Sequence, residues 1–311
     1  MSDTPILQSD TPLPDEEALF PIREVSRQTG VNSVTLRAWE RRYGLIKPLR
    51  TSKGHRLYST EHVTRVQCIL EWLDRGVAIS RVRELLDRPE PAAALVDDTD
   101  NTWQLYFTQM HTAVKSFNDN RLDDALNQAL ALYPVESVVQ RLIQPLLTQL
   151  QQEWLNLPVG AALEKQFLFG YLRTKLGMRL FHANRTQPGK TLLLAGLTSD
   201  TEEVELLLQG AIASALGFRV ISLGTAIPIR EIPLALDHTQ ADALLLHSDQ
   251  RLDRSMVLSE LPRLRQLYPH LAIAMHGHCS QIHQQAFAEL AIQTSTEAPH
   301  LLMRKLLQPG S

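Results

Sequence analysis

Cysteine and long apolar runs are scarce in this chain. Two cysteines among 311 residues are too few for a disulfide framework, so we expect a reducing, cytoplasmic compartment. No apolar run reaches the roughly 18 residues that a membrane span needs. The first twenty residues carry five acids and no base, unlike the positive start of a secretory signal. We therefore expect neither a membrane protein nor a secreted disulfide scaffold.

The composition is that of folded domains. Hydrophobic residues make up 44% of the chain and charged residues 21%, which excludes a disordered or collagen-like protein. A length of 311 residues predicts two or three domains.

Charge is distributed unevenly along the chain. Residues 21–90 contain fourteen Lys and Arg against eight acids, whereas residues 91–311 have a net charge of −4. A basic block of domain size on an acidic chain predicts that this end binds a polyanion.

The periodicity of apolar residues divides the chain. Residues 103–184 have helical spacing and predict four helices, with Pro134 and Pro158 at helix ends. Short apolar runs then alternate with amphipathic stretches, which predicts βαβ units and a parallel sheet. The predicted fold class is multidomain α and α/β. The units are an acidic tail at 1–19, a winged helix-turn-helix at 20–88, a linker at 89–102, a helical bundle at 103–185 and a Rossmann-like, flavodoxin-like domain at 190–308.

The basic block has the layout of a helix-turn-helix. Ile22 and Val25 begin a short helix, residues 29–31 form a turn, and Asn32 or Ser33 can cap a second helix. We expect this second helix to present four polar side chains away from its apolar side and to enter a major groove. They are Thr35, Arg37, Arg41 and Arg42.

A glycine-tipped basic hairpin follows at residues 47–59. Arg50, Lys53, His55 and Arg56 surround Gly54, which is typical of a wing that contacts the phosphate backbone. The alternative is a solvated amphipathic helix followed by a charged loop. The order of turn, second helix and wing favours DNA binding.

The run TLRAWERRYGLIKPLRTSKGHRLYS resembles the winged helix of the MerR family of transcription regulators, in the branch that contains the MlrA and CarH types. The resemblance implies that DNA contacts come from both the helix and the wing. Trp39 is expected to pack in the core, as aromatic residues at helical spacing usually do. The implied DNA-binding residues are Thr35, Arg37, Arg41, Arg42, Tyr43, Arg50, Lys53, His55, Arg56 and Tyr58.

Residues 103–308 resemble the cobalamin-binding module of that branch, a helical cap followed by a Rossmann-like domain. The resemblance rests on the order of the elements and on a glycine-containing tail motif. Its matched positions are Gly217, Phe218, Val220, Leu223, Gly224 and Pro228.

The ligand motifs of that module are degenerate. In the motif D-x-H-x-x-G, which supplies the lower cobalt ligand, Asp200 is kept, but Glu202 replaces the histidine and Glu205 the glycine. The cap motif W-x9-E-H keeps Trp154 and Glu164, whereas Lys165 replaces the histidine. We therefore expect no bound cobalamin and no other cofactor. Two further motifs of the cobalamin-binding module also differ from the family pattern, at residues 247–249 and 276–277.

Other chemistry has less support in the sequence. The segment HGHCSQIH at 276–283 holds His276, His278, Cys279 and His283, but no second cluster at metal-ligand spacing accompanies it. Ser248, Asp249 and His276 lack the elbow of a hydrolytic triad. We expect neither a catalytic nor a metal site, and no phosphate-binding glycine loop is present.

These inferences together predict a sequence-specific transcription regulator and not an enzyme. The resemblance implies binding to inverted repeats in double-stranded promoter DNA, near RNA polymerase, as a homodimer or higher oligomer. The alternative is a light- or ligand-sensing regulator in which another residue, such as His247 or His276, holds cobalamin. A cobalamin-dependent mutase or methyltransferase is disfavoured, because no substrate domain follows residue 308.

Overall fold

The computed structural model describes residues 19–86, 99–157, 159–186, 189–198, 203–294 and 299–307. Its first part, residues 19–86, is the unit that the sequence predicts to bind DNA, called the DNA-binding unit below. The unit forms because a few apolar side chains, including Val25, Val31 and Leu36, are fully excluded from solvent. Its elements are β1 (Phe20–Pro21), α1 (Ile22–Thr29), α2 (Ser33–Ala38), a π-helical turn (Trp39–Tyr43), β2 (Leu49–Arg50), β3 (Arg56–Tyr58), α3 (Thr60–Asp74) and α4 (Ile79–Leu86).

The second part is the helical bundle, which contains the four predicted helices. Pro134 caps the third of them, as its position in the sequence predicted, and Pro158 lies outside the described residues. This third helix consists of two α-helical segments, numbered α7 and α8 below, which are joined by a π-helical turn at Val139–Ile143. The elements are α5 (Thr99–Lys115), α6 (Asp119–Leu132), α7 (Val135–Val138), α8 (Gln144–Asn156) and α9 (Ala161–Thr186).

The third part, from residue 189 onward, is the sheet module. Its described strands form a five-stranded parallel sheet in the order β5-β4-β6-β7-β8. The four apolar runs of the sequence form β4 (Thr191–Gly196), β5 (Arg219–Ser222), β6 (Ala243–His247) and β7 (Ala272–His276), and the strand missed by the sequence is β8 (Gln293–Thr294).

Helices cover both faces of this sheet, which confirms the Rossmann-like fold class. The strand order reverses between β4 and β6, and the carboxyl ends of strands at such a point form a ligand crevice in open α/β sheets. The helices are α10 (Glu203–Ala215), a 3-10 turn (Ile229–Glu231), α11 (Ile232–Thr239), a π-helical turn (Met256–Glu260), α12 (Leu261–Leu267), α13 (Cys279–Ile282), α14 (Gln284–Glu289) and α15 (Pro299–Leu307).

One apolar core joins all three parts. It runs from Trp39 and Leu73 of the DNA-binding unit through the bundle to one face of the sheet, and a second core fills the other face. The DNA-binding unit therefore packs directly on the bundle. None of the described helices is both long and apolar enough to cross a membrane.

The sequence placed one boundary incorrectly. Helix α5 begins at Thr99, so the last residues of the predicted linker 89–102 are helical. The rest of that linker and the predicted acidic tail lie almost wholly outside the described residues.

Candidate DNA interface and ligand-module site

The turn between α1 and α2 is set by two residues. Gly30 ends α1 with a φ of 75°, a left-handed conformation that glycine adopts readily, and its N–H donates to the Ser26 carbonyl at 2.9 Å. The Asn32 side-chain oxygen then accepts from the N–H groups of Val34 and Thr35, both at 2.9 Å. These contacts fix the direction in which α2 leaves the turn.

Three basic residues of the predicted recognition helix are exposed. Arg37 lies on α2, and Arg41 and Arg42 lie on the π-helical turn that continues it. Val34, on the first turn of the helix, is 62% exposed. The exposed side of this helix therefore carries three guanidinium groups and one apolar side chain.

Two of the side chains predicted to contact DNA are buried in this structure. Thr35 is fully buried, and its hydroxyl has no hydrogen-bond partner among the described residues, because it shares the inner face of the helix with Trp39 four positions later. Tyr58 is also fully buried at the end of β3, and burial raises the pKa of its phenol. Neither side chain can reach a base without repacking the core.

The wing is a short antiparallel hairpin in which Arg50 pairs with Arg56 across β2 and β3. The Thr51 N–H donates to the His55 carbonyl at 2.9 Å, and the Gly54 N–H donates to the Thr51 carbonyl at 2.8 Å. Lys53 and His55 are exposed at this tip, as a phosphate contact requires.

Glu40 connects the wing to the recognition helix. Its carboxylate accepts from Arg56 Nε at 2.5 Å and from Arg50 Nη2 at 2.9 Å. Partial burial raises the pKa of Glu40, but the hydrogen bonds and charges of Arg56 and then Arg50 outweigh this and hold the pKa below its usual value. The Arg56 side chain is only 21% exposed, so it orients the wing more than it faces solvent.

Trp39 packs in the core as expected, but its hydrogen-bond acceptor lies in the helical bundle. It is fully buried, and its indole N–H donates to the Leu132 carbonyl at the end of α6, 2.8 Å away. Tyr43 packs against the same core. Burial raises the pKa of Tyr106 on α5, and the neighbouring Tyr43 phenol raises it further. The structure thus turns Tyr43 towards the bundle and not towards the predicted DNA face.

The residues of the cap motif are paired with one another in the bundle. Trp154 Nε1 donates to Glu164 Oε2 at 2.9 Å, and Lys115 Nζ contacts both Glu164 and Glu153 at 2.8 Å. Lys115 is the main cause that lowers the pKa of Glu153 to about 2. The Glu164 side chain is 10% exposed, and the ionic network links α5, α8 and α9.

Lys165 occupies the position where the motif has a histidine. Its ammonium lies 5.3 Å from the centre of the Phe169 ring, within the range of a cation–π contact.

Two histidines meet at the carboxyl ends of β6 and β7. His247 and His276 are paired in register, and their Nδ1 atoms are 2.9 Å apart. His247 is 1% exposed, and its Nε2 lies 3.4 Å from the Asp249 carboxylate. Contact with His247 lowers the pKa of Asp249 to about 2, whereas burial and then the charge of His247 lower the pKa of His276 to about 4.

The remaining polar residues at this edge have structural contacts. Ser248 Oγ donates to the Gln250 carbonyl at 2.9 Å, and His283 Nε2 accepts from the Leu252 N–H at 3.2 Å. Burial raises the pKa of the Cys279 thiol to about 12. Within the described ranges, no three His, Cys, Asp or Glu side chains are grouped to hold a metal ion.

The degenerate D-x-H-x-x-G positions are only partly described. Asp200 and Glu202 lie outside the described residues, and Glu205 is partly buried on the first turn of α10.

Comparison with known proteins identifies the family. The profile of the MerR HTH family of regulatory proteins matches residues 20–89. The HTH-type transcriptional regulator MlrA of Escherichia coli (strain K12) is 33% identical over 203 residues, which cover 65% of this chain and 79% of that protein. The chain belongs to the MerR family of transcription regulators. The resemblance inferred from the sequence is thereby confirmed.

The similarity of this MerR-family chain extends into its C-terminal half. The HTH-type transcriptional repressor CarH of Myxococcus xanthus is 27% identical over 284 residues, 89% of this chain and 94% of that protein. A solved structure of the Methanosarcina barkeri monomethylamine corrinoid protein superposes with a TM-score of 0.51 at 13% identity, covering 66% of this chain and 98% of that one. The C-terminal module thus has a cobalamin-binding-like fold.

The family gives the general function. MerR-family regulators bind promoter DNA, generally as dimers. The similar curated proteins are transcriptional regulators and not enzymes, although corrinoid proteins share the fold of the C-terminal module.

Proposed function

We propose that this MerR-type regulator recognises an inverted repeat in promoter DNA as two copies, near the site of RNA polymerase. Arg37, Arg41 and Arg42 would enter the major groove, and Arg50, Lys53 and His55 would contact the backbone. The observation that carries this proposal is the carboxylate of Glu40, which follows the second helix and binds Arg50 and Arg56 of the wing. It thereby ties together the two elements that carry the exposed cations. Arg56 acts as a positioning residue, and Thr35 and Tyr58 are left out because they are buried.

Salt dependence tests the assignment. Each phosphate neutralised contributes a slope of about 0.9 log units of affinity per log unit of salt. Lys53→Ala should reduce the slope by about one contact, whereas Arg37→Ala should weaken binding by about 1–3 kcal/mol and relax sequence preference. The control is Arg230→Ala, which removes an exposed arginine of the sheet module. Equal losses in all three variants would contradict the interface.

We further propose that the C-terminal module has lost cobalamin binding and serves as a protein-interaction domain or takes another ligand. The residues present do not fit the cofactor. The cap residue Trp154 donates to Glu164, which also binds Lys115. His247 is too buried, and too closely paired with His276, to act as a substitute cobalt ligand. In sequence, Glu202 stands where the motif has its histidine.

Equilibrium dialysis against adenosylcobalamin and methylcobalamin, with absorbance spectra, tests this proposal. We expect no corrin spectrum in the purified protein and no saturable uptake at micromolar concentration. The Glu202→His variant should also show no corrin absorbance, because the other residues that depart from the cobalamin-binding motifs remain unchanged. The similarity to CarH over 89% of the chain favours the alternative, a cobalamin-dependent light or ligand sensor. Micromolar or tighter uptake by the unmodified protein would establish that alternative.

A further inference from the structure

Helix α9 carries an uncharged line of residues along one side. The spacing alternates between four and three, so the residues recur every 3.5 positions and lie in one row, as in a coiled-coil seam. From the first to the last, the row is about 27 Å long at 1.5 Å per residue. Its members are Leu163, Phe167, Gly170, Thr174, Gly177 and Phe181.

This row is open to solvent in the monomer. Leu163 is 66% exposed and Phe181 61%, and Met178 beside the row is 57% exposed. A Cβ added at Gly170 or Gly177 would meet nothing within 4 Å. Large apolar side chains on a continuous uncharged surface indicate an interaction site.

The aromatic side chains of the row have contacts that orient them. Phe167 makes an edge-on contact with Phe117, whose ring centre is 5.5 Å away, and Arg185 lies 6.0 Å from the centre of the Phe181 ring. The Phe167 ring is therefore oriented by a contact within its own chain, which reduces the entropy lost on binding.

We infer that the row pairs with the same row of a second copy, with the two α9 helices antiparallel. The choice of a second copy rests on the proposed two-copy binding to DNA. A two-fold axis at the level of Leu172 places Leu163 opposite Phe181 of the second copy, Phe167 opposite Gly177, and Gly170 opposite Thr174.

The sizes of these residues suit that register. Phe167 meets a glycine, and the two small residues at the centre let the helix backbones approach closely. A parallel pairing would place each residue opposite itself, so that Phe167 and Phe181 would collide with their copies while the glycines left gaps. Self-complementarity about a two-fold axis is the property of an isologous interface.

The expected strength follows from the size of the surface. A row about 27 Å long on a helix about 10 Å wide covers roughly 300 Å² per copy. The two copies together bury roughly 600 Å², which is below the roughly 1,200 Å² at which stable specific interfaces begin. We therefore expect the row alone to give a weak dimer, with a Kd of about 1–100 μM, that is completed on DNA.

Matched leucines provide the first test. Leu163 and Leu234 are 66% and 65% exposed, but Leu234 lies on α11, away from the row. Sedimentation of the full chain without DNA, at about 1–200 μM, should show at least a tenfold higher Kd for Leu163→Glu and for Phe181→Lys. Leu234→Glu should dimerise like the unmodified chain, and circular dichroism checks that each variant is folded.

Charge rescue tests the register. The Leu163→Glu/Phe181→Lys double variant should recover dimerisation, because the antiparallel pairing brings the two new charges together between copies. Within one chain these positions are about 27 Å apart and cannot pair. Rescue would support the register, whereas a double variant as weak as the single variants would overturn it.

The interface proposal can fail without the DNA proposal. An unmodified chain that stays monomeric up to about 200 μM, or a dimer unaffected by Leu163→Glu and Phe181→Lys, would overturn the α9 interface. Salt-dependent binding through Arg37 and Lys53 would be unaffected by either result, since those residues lie on the DNA-binding unit.

Discussion

At the residue scale, the most unusual contact is the histidine pair at the sheet edge. With both Nδ1 atoms 2.9 Å apart, one ring must donate and the other accept, so the pair is satisfied only when at least one of them is neutral. His276 is the ring whose pKa is lowered, to about 4, by burial first and by the charge of His247 second. The pair therefore makes the fold sensitive to acid.

The pH dependence of this pair can be predicted with its sign. The unfolded chain protonates His276 near its ordinary pKa of about 6.5, and the folded chain only near pH 4. Below pH 6.5 the unfolded state binds more protons, so the stabilising contribution is complete above that pH and is lost as the pH falls towards 4. The loss should reach about 3 kcal/mol.

Urea unfolding at several pH values between about 4 and 7 measures this loss. His276→Asn keeps a polar side chain without a titratable ring, so its free energy of unfolding should decline less over the same interval. Parallel pH profiles for the two proteins would contradict the assignment. Asp249 contributes little to this loss. Its contact with His247 lowers its pKa to about 2 in the folded chain, and its ordinary value of 3.8 lies just below the interval.

At the element scale, the ends of β6 and β7 depend on one glycine. Gly277 follows β7 with a φ of 94°, and a Cβ at this position would collide with the Ser248 carbonyl. Gly224, after β5, has a similar φ of 85°, but a Cβ added there would meet nothing within 4 Å. Comparing substitutions at the two glycines therefore separates the cost of backbone strain from the cost of crowding.

We expect Gly277→Ala to destabilise the fold more than Gly224→Ala. Both substitutions place alanine in a left-handed conformation, which costs about 1–2 kcal/mol, and crowding at Gly277 should add about 1–3 kcal/mol. Thermal and urea unfolding of the two variants measure the difference. Equal destabilisation would mean that the loop after β7 moves aside easily.

At the scale of the whole molecule, the DNA-binding unit is part of a continuous core. Trp39 belongs by sequence to the recognition helix, yet its indole is bound to the Leu132 carbonyl of the bundle. The helix that faces DNA on one side is thus held by the bundle on the other. A change in the bundle can reach the DNA-binding residues through this contact.

Trp39→Phe should weaken the joint between the two units. It removes the donor to the Leu132 carbonyl and leaves a small void, so the free energy of unfolding should fall by about 1–3 kcal/mol. Trp72→Phe is the control, because Trp72 is a partly buried indole on α3 and this variant leaves Trp39 unchanged. Urea unfolding that shows no difference between these variants would argue against a stabilising role of the Trp39 contact.

Local patterns were sufficient for much of this architecture. The turn at Gly30, the cap at Asn32, the basic wing and four of the five strands follow from conformational preferences and apolar periodicity, which depend on residues a few positions apart. The strand β8 was missed because its two residues are polar and carry no periodic signal. The two-residue strand β1 (Phe20–Pro21) is also too short to carry a periodic signal, and it is defined only by its pairing with β3.

The sequence by itself determined the order of the units, the basic character of one end and the family. Tertiary structure decided which polar side chains of the recognition helix reach solvent, because Tyr43 packs against the bundle and Thr35 is buried beside Trp39. It also joined Glu40 to the wing and Lys115 to Glu164. Such pairings depend on the packing of elements against one another, and no spacing along the chain encodes them.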